Sequence, residues 1–385
     1  MSYLDKITTG FKDVFGHKPE LTVRAPGRVN LLGEHTDYNG GFVLPAAIDK
    51  AIYFSIAKRD DDKVELFAFD LGEKVSTSLD DLVKNKKSWA NFLIGVMAVL
   101  KSKGHQFSQG VNVCFGGDVP LGAGLSSSAA VESGMGTALN ILFDLGLSKK
   151  EIALTAQQAE HEFAGVKCGI MDMYASVFGE KGSLIKLDCK SIEHTYLPFE
   201  LKSHSVILFD TGVKHNLGDS EYNKRREECE SGVSLLQKYY TGIEFLRDVS
   251  EEQLNAHKAE FDETVYKRCK YVVDETSRMR NATNLLEQNN LKAFGQLMFQ
   301  THRGLQHEYE VSCPELDFLV DQVDGNEAVL GARMMGGGFG GCTINIIDNE
   351  SVDRITDQLA QAYKDAFGID LKSYKVAITN GCEAV

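Results

Sequence analysis

Between Pro26 and Gly41 the chain reads PGRVNLLGEHTDYNGG, which places Arg28, Glu34, His35 and Asp37 within ten positions around a short apolar anchor, Val29 to Leu32. Two carboxylates, an imidazole and a guanidinium near one turn offer acceptors and donors at several angles, as a polyhydroxylated ligand requires. A salt-bridged structural turn would use the same residue types. A second segment, Pro120 to Ala130, carries Gly122, Ala123, Gly124, Leu125, Ser126, Ser127 and Ser128. Its glycines allow backbone amides to approach a ligand, and its serines sit where a helix should begin, a favourable place for phosphate oxygens. A ligand-free Gly/Ser helix cap is the plainer reading. The segment is not a Walker A loop, because no Gly-Lys-Ser/Thr ending follows.

Two further carboxylates complete the set. Asp172 follows the apolar pair Ile170-Met171, and there it could accept a proton from a substrate hydroxyl or hold that hydroxyl in place. Transfer of a phosphoryl group needs an aligned oxygen nucleophile and neutralisation of the moving charge, which Arg28 can supply. Glu160 shares a helix face with Ala153, Ala156 and Ala164, where an unpartnered carboxylate is expensive to bury. It is a candidate cation ligand or one half of a buried salt bridge. Late in the chain, Met334 to Cys342 holds five glycines in six positions. Such a run destabilises a helix or a routine strand and suits a tight loop, either structural or lining a phosphate or sugar site.

The elements expected to hold these residues follow from periodicity. Leu4, Ile7, Phe11 and Phe15 predict a helix, and Leu21 to Arg24 a strand leading into Pro26. Strands are expected over 51–57, 64–69, 110–115, 184–187, 205–209, 342–347 and 373–378. Helices are expected around 89–100, from Ser127 to Leu142, and from Ser148, whose Ser-Lys-Lys-Glu has capping-box spacing. Longer helices are predicted over 222–240, 251–285, 315–329 and 353–365. A division near residue 200 gives two domains, 1–200 and 201–385, consistent with a chain of 385 residues.

Composition narrows the partners. The chain is 43% hydrophobic and 25% charged, and 41 basic against 55 acidic residues give a formal charge of −14. That balance disfavours nucleic-acid or anionic-membrane binding. No stretch has the roughly 18 apolar residues of a membrane-spanning helix. The amino-terminal residues lack a secretory pattern, and eight dispersed cysteines without a CxxC pair read as reduced thiols. A cytoplasmic protein is expected.

Taken together, the Pro26–Gly41, Pro120–Ala130 and Met334–Cys342 segments, in this order and spacing, closely resemble the galactokinases of the GHMP small-molecule kinase superfamily. The resemblance runs from about residue 20 to 345. It implies an α+β, two-domain GHMP kinase fold, with an amino-terminal ribosomal-protein-S5-domain-2-like α/β domain, a carboxy-terminal ferredoxin-like domain and the active site between them. It further implies phosphoryl transfer from ATP to the 1-hydroxyl of α-D-galactose, with Arg28 and Asp172 as the catalytic pair. Glu34, His35, Asp37 and Tyr222 would line the sugar site, Tyr222 within Ser220-Glu221-Tyr222-Asn223-Lys224-Arg225-Arg226. Gly122 to Ser127 would cradle the ATP phosphates, Ser128 and Glu160 would hold Mg²⁺, and Trp89 would help enclose adenine. A monomer is expected. Methionine at 173 departs from the glutamine that commonly follows the catalytic aspartate in this family. An N-acetylgalactosamine kinase, or a non-catalytic sensor binding ATP and galactose, are the alternative readings.

Overall fold

A computed structural model describes residues 2–120, 122–214 and 218–385, so Leu121 of the second segment lies outside the described residues. Among the described residues the chain builds three sheets. The first has six strands in the order Glu383–Ala384, Leu21–Asn30, Pro45–Lys58, Val111–Gly117, Lys63–Ala68 and Glu73–Ser78. A small three-stranded sheet joins Phe42–Val43, Ser183–Asp188 and Glu193–Pro198. The four-stranded sheet runs Val329–Met335, Gly340–Asp348, His204–Lys214 and Lys372–Val376. Numbered along the chain, that last order is 2-3-1-4, with helices in the connections from first to second and from third to fourth strand. This is the ferredoxin-like arrangement that the family resemblance implies.

Alternation explains how the four-stranded sheet is buried on both faces. Along His204–Lys214, Val206 and Leu208 join the large core shared with the first sheet, while Ile207 and Phe209 pack with Leu319, Ile355, Leu359 and Tyr363 on the opposite side. On the first sheet lies the helix Ser127–Phe143, buried along most of its length. The helix Lys149–Ala159 follows, and Ser148 and Glu151 form the predicted reciprocal cap. All eight cysteines are free thiols. No helix among the described residues is long and apolar enough to cross a membrane.

Several predicted boundaries need correction. The expected single helix over 251–285 is two, Glu251–Ala256 and Glu263–Glu287, because Asp262 leaves helical geometry and caps the second one. The expected helix over 315–329 ends at Asp321, and Val329–Met335 is a strand. The helix Leu291–His307 and the strands Glu73–Ser78 and Glu193–Pro198 had no counterpart in the prediction.

Leu291–His307 crosses the strand Val329–Met335 so closely that a Cβ on Gly295 would sit 2.0 Å from the Leu330 carbonyl oxygen. Intrinsic propensity alone favours alanine over glycine in a helix by about 1 kcal/mol. Overpacking against backbone outweighs that, so Gly295→Ala should destabilise the protein by about 2 kcal/mol. Urea unfolding of the two proteins checks the sign, since a stabilised variant would mean that the helix and strand separate freely.

Candidate active site

A cavity of about 350 Å³ opens between the first sheet, the amino terminus of helix Ser127–Phe143 and the late glycine loop. Arg28, Glu34, His35, Asp37, Gly122, Gly124, Leu125, Ser126, Ser127, Ser128, Glu160, Asp172 and Tyr222 all line it, together with Gly336 and Gly337. Ala123 is fully buried and is not part of the lining. Trp89 also stands apart from the cavity wall: its indole N–H donates to Glu73 at 2.8 Å and its ring packs on Phe115.

At the centre, Arg28 meets Asp172. The strand Leu21–Asn30 shifts register between Pro26 and Arg28, an irregularity of the kind that re-aims a side chain. The Arg28 Nε donates to Asp172 Oδ1 at 2.6 Å, and Nη1 donates to the Gly124 carbonyl at 2.5 Å. Burial alone would lower the Arg28 pKa, but Asp172, Glu34 and Asp37 outweigh it and leave it raised. Asp172 lies in the first turn of helix Met171–Phe178, where the peptide dipoles favour a carboxylate. Its second oxygen accepts from Ser126 Oγ at 2.5 Å. Ser126 is held in left-handed geometry, with φ at 55°, and its hydroxyl makes no helix cap. A strained residue aimed at the central carboxylate is typical of a site that over-determines its own geometry.

The side of the cavity towards Tyr222 is built from the turn Glu34–Asn39. Arg333, fully buried in strand Val329–Met335, donates to the carbonyls of Leu31 at 2.8 Å and Met334 at 2.6 Å, to that of Asn30, and to Glu34 Oε2 at 2.8 Å. Glu34 Oε2 also accepts the Gly336 N–H at 3.1 Å, tying the turn to the glycine loop. Glu275, equally buried on helix Glu263–Glu287, accepts the Gly33 N–H at 2.8 Å. Asp37 packs so tightly that a Cβ on Gly169 would lie 2.0 Å from its Oδ2. Burial, then Asp172, push the Asp37 pKa up to about 7, while burial and Arg225 push His35 down to about 3. The imidazole is therefore neutral at physiological pH.

The opposite side is the phosphate-type end. Ser127 and Ser128 open helix Ser127–Phe143, whose first amides have no intrahelical acceptors. Facing them, Glu160 begins a single wide turn in which the Gly165 N–H reaches back to the Glu160 carbonyl at 2.9 Å. Such π turns concentrate at functional sites. Glu132, fully buried one turn beyond Ser128, has its pKa pushed well up by burial and by Glu160. The late glycine run proves to be a loop of mostly left-handed backbone, with φ of 86° at Gly336, 88° at Gly338 and 83° at Gly341. Gly336 packs on Gly124, so this loop closes over the phosphate-type segment.

Arg333, Glu275 and Glu132 escaped the sequence reading. Each carried a legible sign, a charged residue inside an apolar or small-residue run: Gly-Ala-Arg-Met-Met, Tyr-Val-Val-Asp-Glu, Ala-Ala-Val-Glu-Ser.

The raised Asp37 pKa has a measurable cost. The group's folded value exceeds its unfolded value, so its contribution to stability is full below about pH 4 and is lost as pH rises through about 7. An amide at this position cannot ionise. Ligand-free Asp37→Asn should therefore gain several degrees of Tm over the parent at pH 8 and little or nothing at pH 4, as scanning calorimetry at both values would read.

Comparison with known proteins adds an independent line. Family models match three stretches: the galactokinase galactose-binding signature over residues 9–58, the GHMP kinase N-terminal domain over 91–180 and the GHMP kinase C-terminal region over 282–365. The galactokinase of Roseiflexus sp. (strain RS-1) is 41% identical over 371 residues, covering 96% of this chain and 94% of that one. That of Clostridium perfringens (strain SM101 / Type A) is 40% identical over 382 residues, covering 98% of each. The crystal structure of Lactococcus lactis galactokinase complexed with galactose superposes with a TM-score of 0.96 at 34% identity, each chain covered completely. A mevalonate kinase from Methanococcus jannaschii, at 21% identity and a TM-score of 0.64, shares the fold. With its two-domain GHMP architecture and full-length likeness to these relatives, the chain belongs to the galactokinase family of the GHMP small-molecule kinases.

Proposed function

We propose that this cavity transfers the γ-phosphoryl group of ATP to the 1-hydroxyl of α-D-galactose, giving galactose 1-phosphate and ADP. The observation that carries the reading is Asp172, fixed by Arg28 at 2.6 Å and by Ser126 at 2.5 Å between the two ends of one cavity. Glu34, His35, Asp37 and Tyr222 receive the sugar. One oxygen of Glu34 is committed to Arg333 and Gly336, and its Oε1 has no partner among the described residues. Asp172 orients the attacking hydroxyl and takes its proton. Arg28 offsets the negative charge on the transferring group while holding Asp172 in line.

At the other end, Gly122 to Ser127 and the helix amides receive the ATP phosphates. Ser128 and Glu160 are suited to Mg²⁺: the ion takes oxygen donors and is commonly held by one or two protein groups plus substrate phosphates. No group of three or more His, Cys, Asp or Glu residues able to hold a metal occurs among the described residues. Bound there, Mg²⁺ would neutralise phosphate charge. Trp89 remains the proposed adenine contact, beyond the cavity as it stands. The proposed division at residue 200 follows sheet membership, with Glu383–Ala384 crossing back to the first sheet. A cytoplasmic monomer without nucleic-acid or membrane partners completes the reading, supported by the −14 charge and eight free thiols.

Met173 is 1% exposed, packs among Ala129, Ile152, Ala156 and Met171, and contributes to the cavity lining. An apolar niche of this kind supports a packing role for position 173. Met173→Gln should therefore lower Tm and change kcat by less than about threefold, because a buried amide costs stability without a partner. A large rise in kcat would instead assign the position a catalytic hydrogen bond.

The deciding experiment measures galactose-dependent ADP formation with ATP and Mg²⁺, identifying galactose 1-phosphate directly. Asp172→Asn should retain galactose binding and lose at least about 10²-fold in kcat, in line with loss of a positioned acid–base group. Galactose binding by the parent protein without product would favour a sensor, and preferred turnover of N-acetylgalactosamine would favour the amino-sugar kinase.

A further inference from the structure

His35 is one member of a buried hydrogen-bonded chain that reaches well behind the cavity. Its Nδ1 lies 2.8 Å from the Tyr38 hydroxyl, which lies 2.7 Å from the Tyr309 hydroxyl, which lies 3.3 Å from Cys229 Sγ. Three separate elements meet here: the turn Asp37–Asn39, the helix Gly218–Leu236 and the segment just after helix Leu291–His307. His35 is 3% exposed, Cys229 1% and Tyr309 0%. On the other side of the ring, Nε2 is buried and makes no hydrogen bond of normal geometry, the Gly337 backbone lying close enough to act on the imidazole, and His35 lines the cavity while Tyr38 does not.

A neutral imidazole carries one proton, and the chain decides which nitrogen holds it. Four groups bring one proton each to three links. In one polarity Cys229 donates to Tyr309, Tyr309 to Tyr38 and Tyr38 to Nδ1, which leaves the imidazole proton on Nε2. In the other polarity every arrow reverses, and the Cys229 proton needs an acceptor elsewhere. Burial pushes the Cys229 thiol up to about 12, against hydrogen bonds with Tyr309 and with the neighbouring Asn39 amide, whose NH₂ donates to the His35 carbonyl at 3.0 Å. The first polarity is also chemically stronger, because a phenol is a better donor than a neutral imidazole and an imidazole nitrogen a better acceptor than a phenol oxygen.

We propose that Tyr38, polarised by Tyr309 and Cys229, is a positioning residue that fixes His35 as the Nε2–H tautomer, so that His35 donates to a hydroxyl of the bound sugar. This rests on the sugar-site reading above. The relay makes His35 an obligate donor beside the acceptors Glu34 and Asp37. A site holding both donor and acceptors distinguishes hydroxyl orientations better than acceptors alone, because a mismatched group leaves a buried partner unpaired.

Long-range ¹H–¹⁵N correlation of the ligand-free, ¹⁵N-labelled protein reads the tautomer directly, with the His35 signals assigned by their loss in His35→Asn. The parent protein should show a pyridine-type Nδ1 and a protonated Nε2, and Tyr38→Phe should show a mixture of tautomers. A parent spectrum with the proton on Nδ1 overturns the proposal, whether or not the variant folds. So does a folded Tyr38→Phe protein that keeps the Nε2–H form unchanged.

Binding of the deoxygalactose series supplies the functional arm. In the parent, loss of one particular hydroxyl should weaken binding about 10-fold, and in Tyr38→Phe the same loss should cost less than about threefold. The KM for galactose should rise in the variant while that for ATP stays put. A deoxygalactose profile identical in both proteins counts against the relay. If galactose neither binds nor reacts with the parent, the sugar-site reading fails, and the ligand-free spectrum still decides the tautomer separately.

Discussion

The buried ion pair between Arg333 and Glu34 is the constraint on which the site depends. Both side chains are almost completely withdrawn from water, at 0% and 3% exposure. Burying such a pair is costly unless every donor and lone pair is satisfied, and here three backbone carbonyls and the Gly336 N–H share in the satisfaction. Those partners come from the end of the first-sheet strand and from the four-stranded sheet with its glycine loop. The pair therefore stays buried only while the two halves are docked in one relative position. Removing either partner would strand an uncompensated charge at the junction. Glu275 adds a second grip on the same turn through the Gly33 N–H.

Within that clamp the cavity concentrates carboxylates. Glu34, Asp37 and Asp172 surround one guanidinium, and Glu132 and Glu160 sit together across the phosphate-type end. Such crowding works against the stability of the empty protein, as the raised Asp37 value records. It becomes useful when a polyol and a polyphosphate with its cation arrive, because each supplies the donors or positive charge that the cavity lacks. The strained backbone of Ser126 belongs to the same balance, since its hydroxyl serves Asp172 and leaves the helix without a side-chain cap.

Much of this was legible in the chain. The Pro26–Gly41 and Pro120–Ala130 segments placed their polar residues in one cavity, and the Ser148 capping box set the start of the helix that presents Glu160. What escaped was long-range. Periodicity could not separate helix from strand around Val329–Met335, where apolar residues run together because both faces of the sheet are buried. Nor could it show that Arg333 reaches back some 300 positions to Glu34, since a lone arginine in a strand says nothing of its partner. The residue types of Tyr38, Tyr309 and Cys229 gave no hint of their meeting, because that chain exists only once three elements pack.

The pairing of Glu383 and Ala384 carries one more consequence. Glu383 and Ala384 pair with Arg24 and Val23, the Val385 N–H reaches the Thr22 carbonyl at 3.0 Å, and Cys382 bonds the Ser176 backbone at 2.8 Å. Residues some 360 positions downstream thus complete the sheet at the edge of the Leu21–Asn30 strand. Until Glu383 and Ala384 leave the ribosome, the Leu21–Asn30 strand has an open edge, the kind of surface that recruits stray strands and chaperones. Vectorial synthesis therefore leaves this sheet one strand short until residues 383 and 384 arrive.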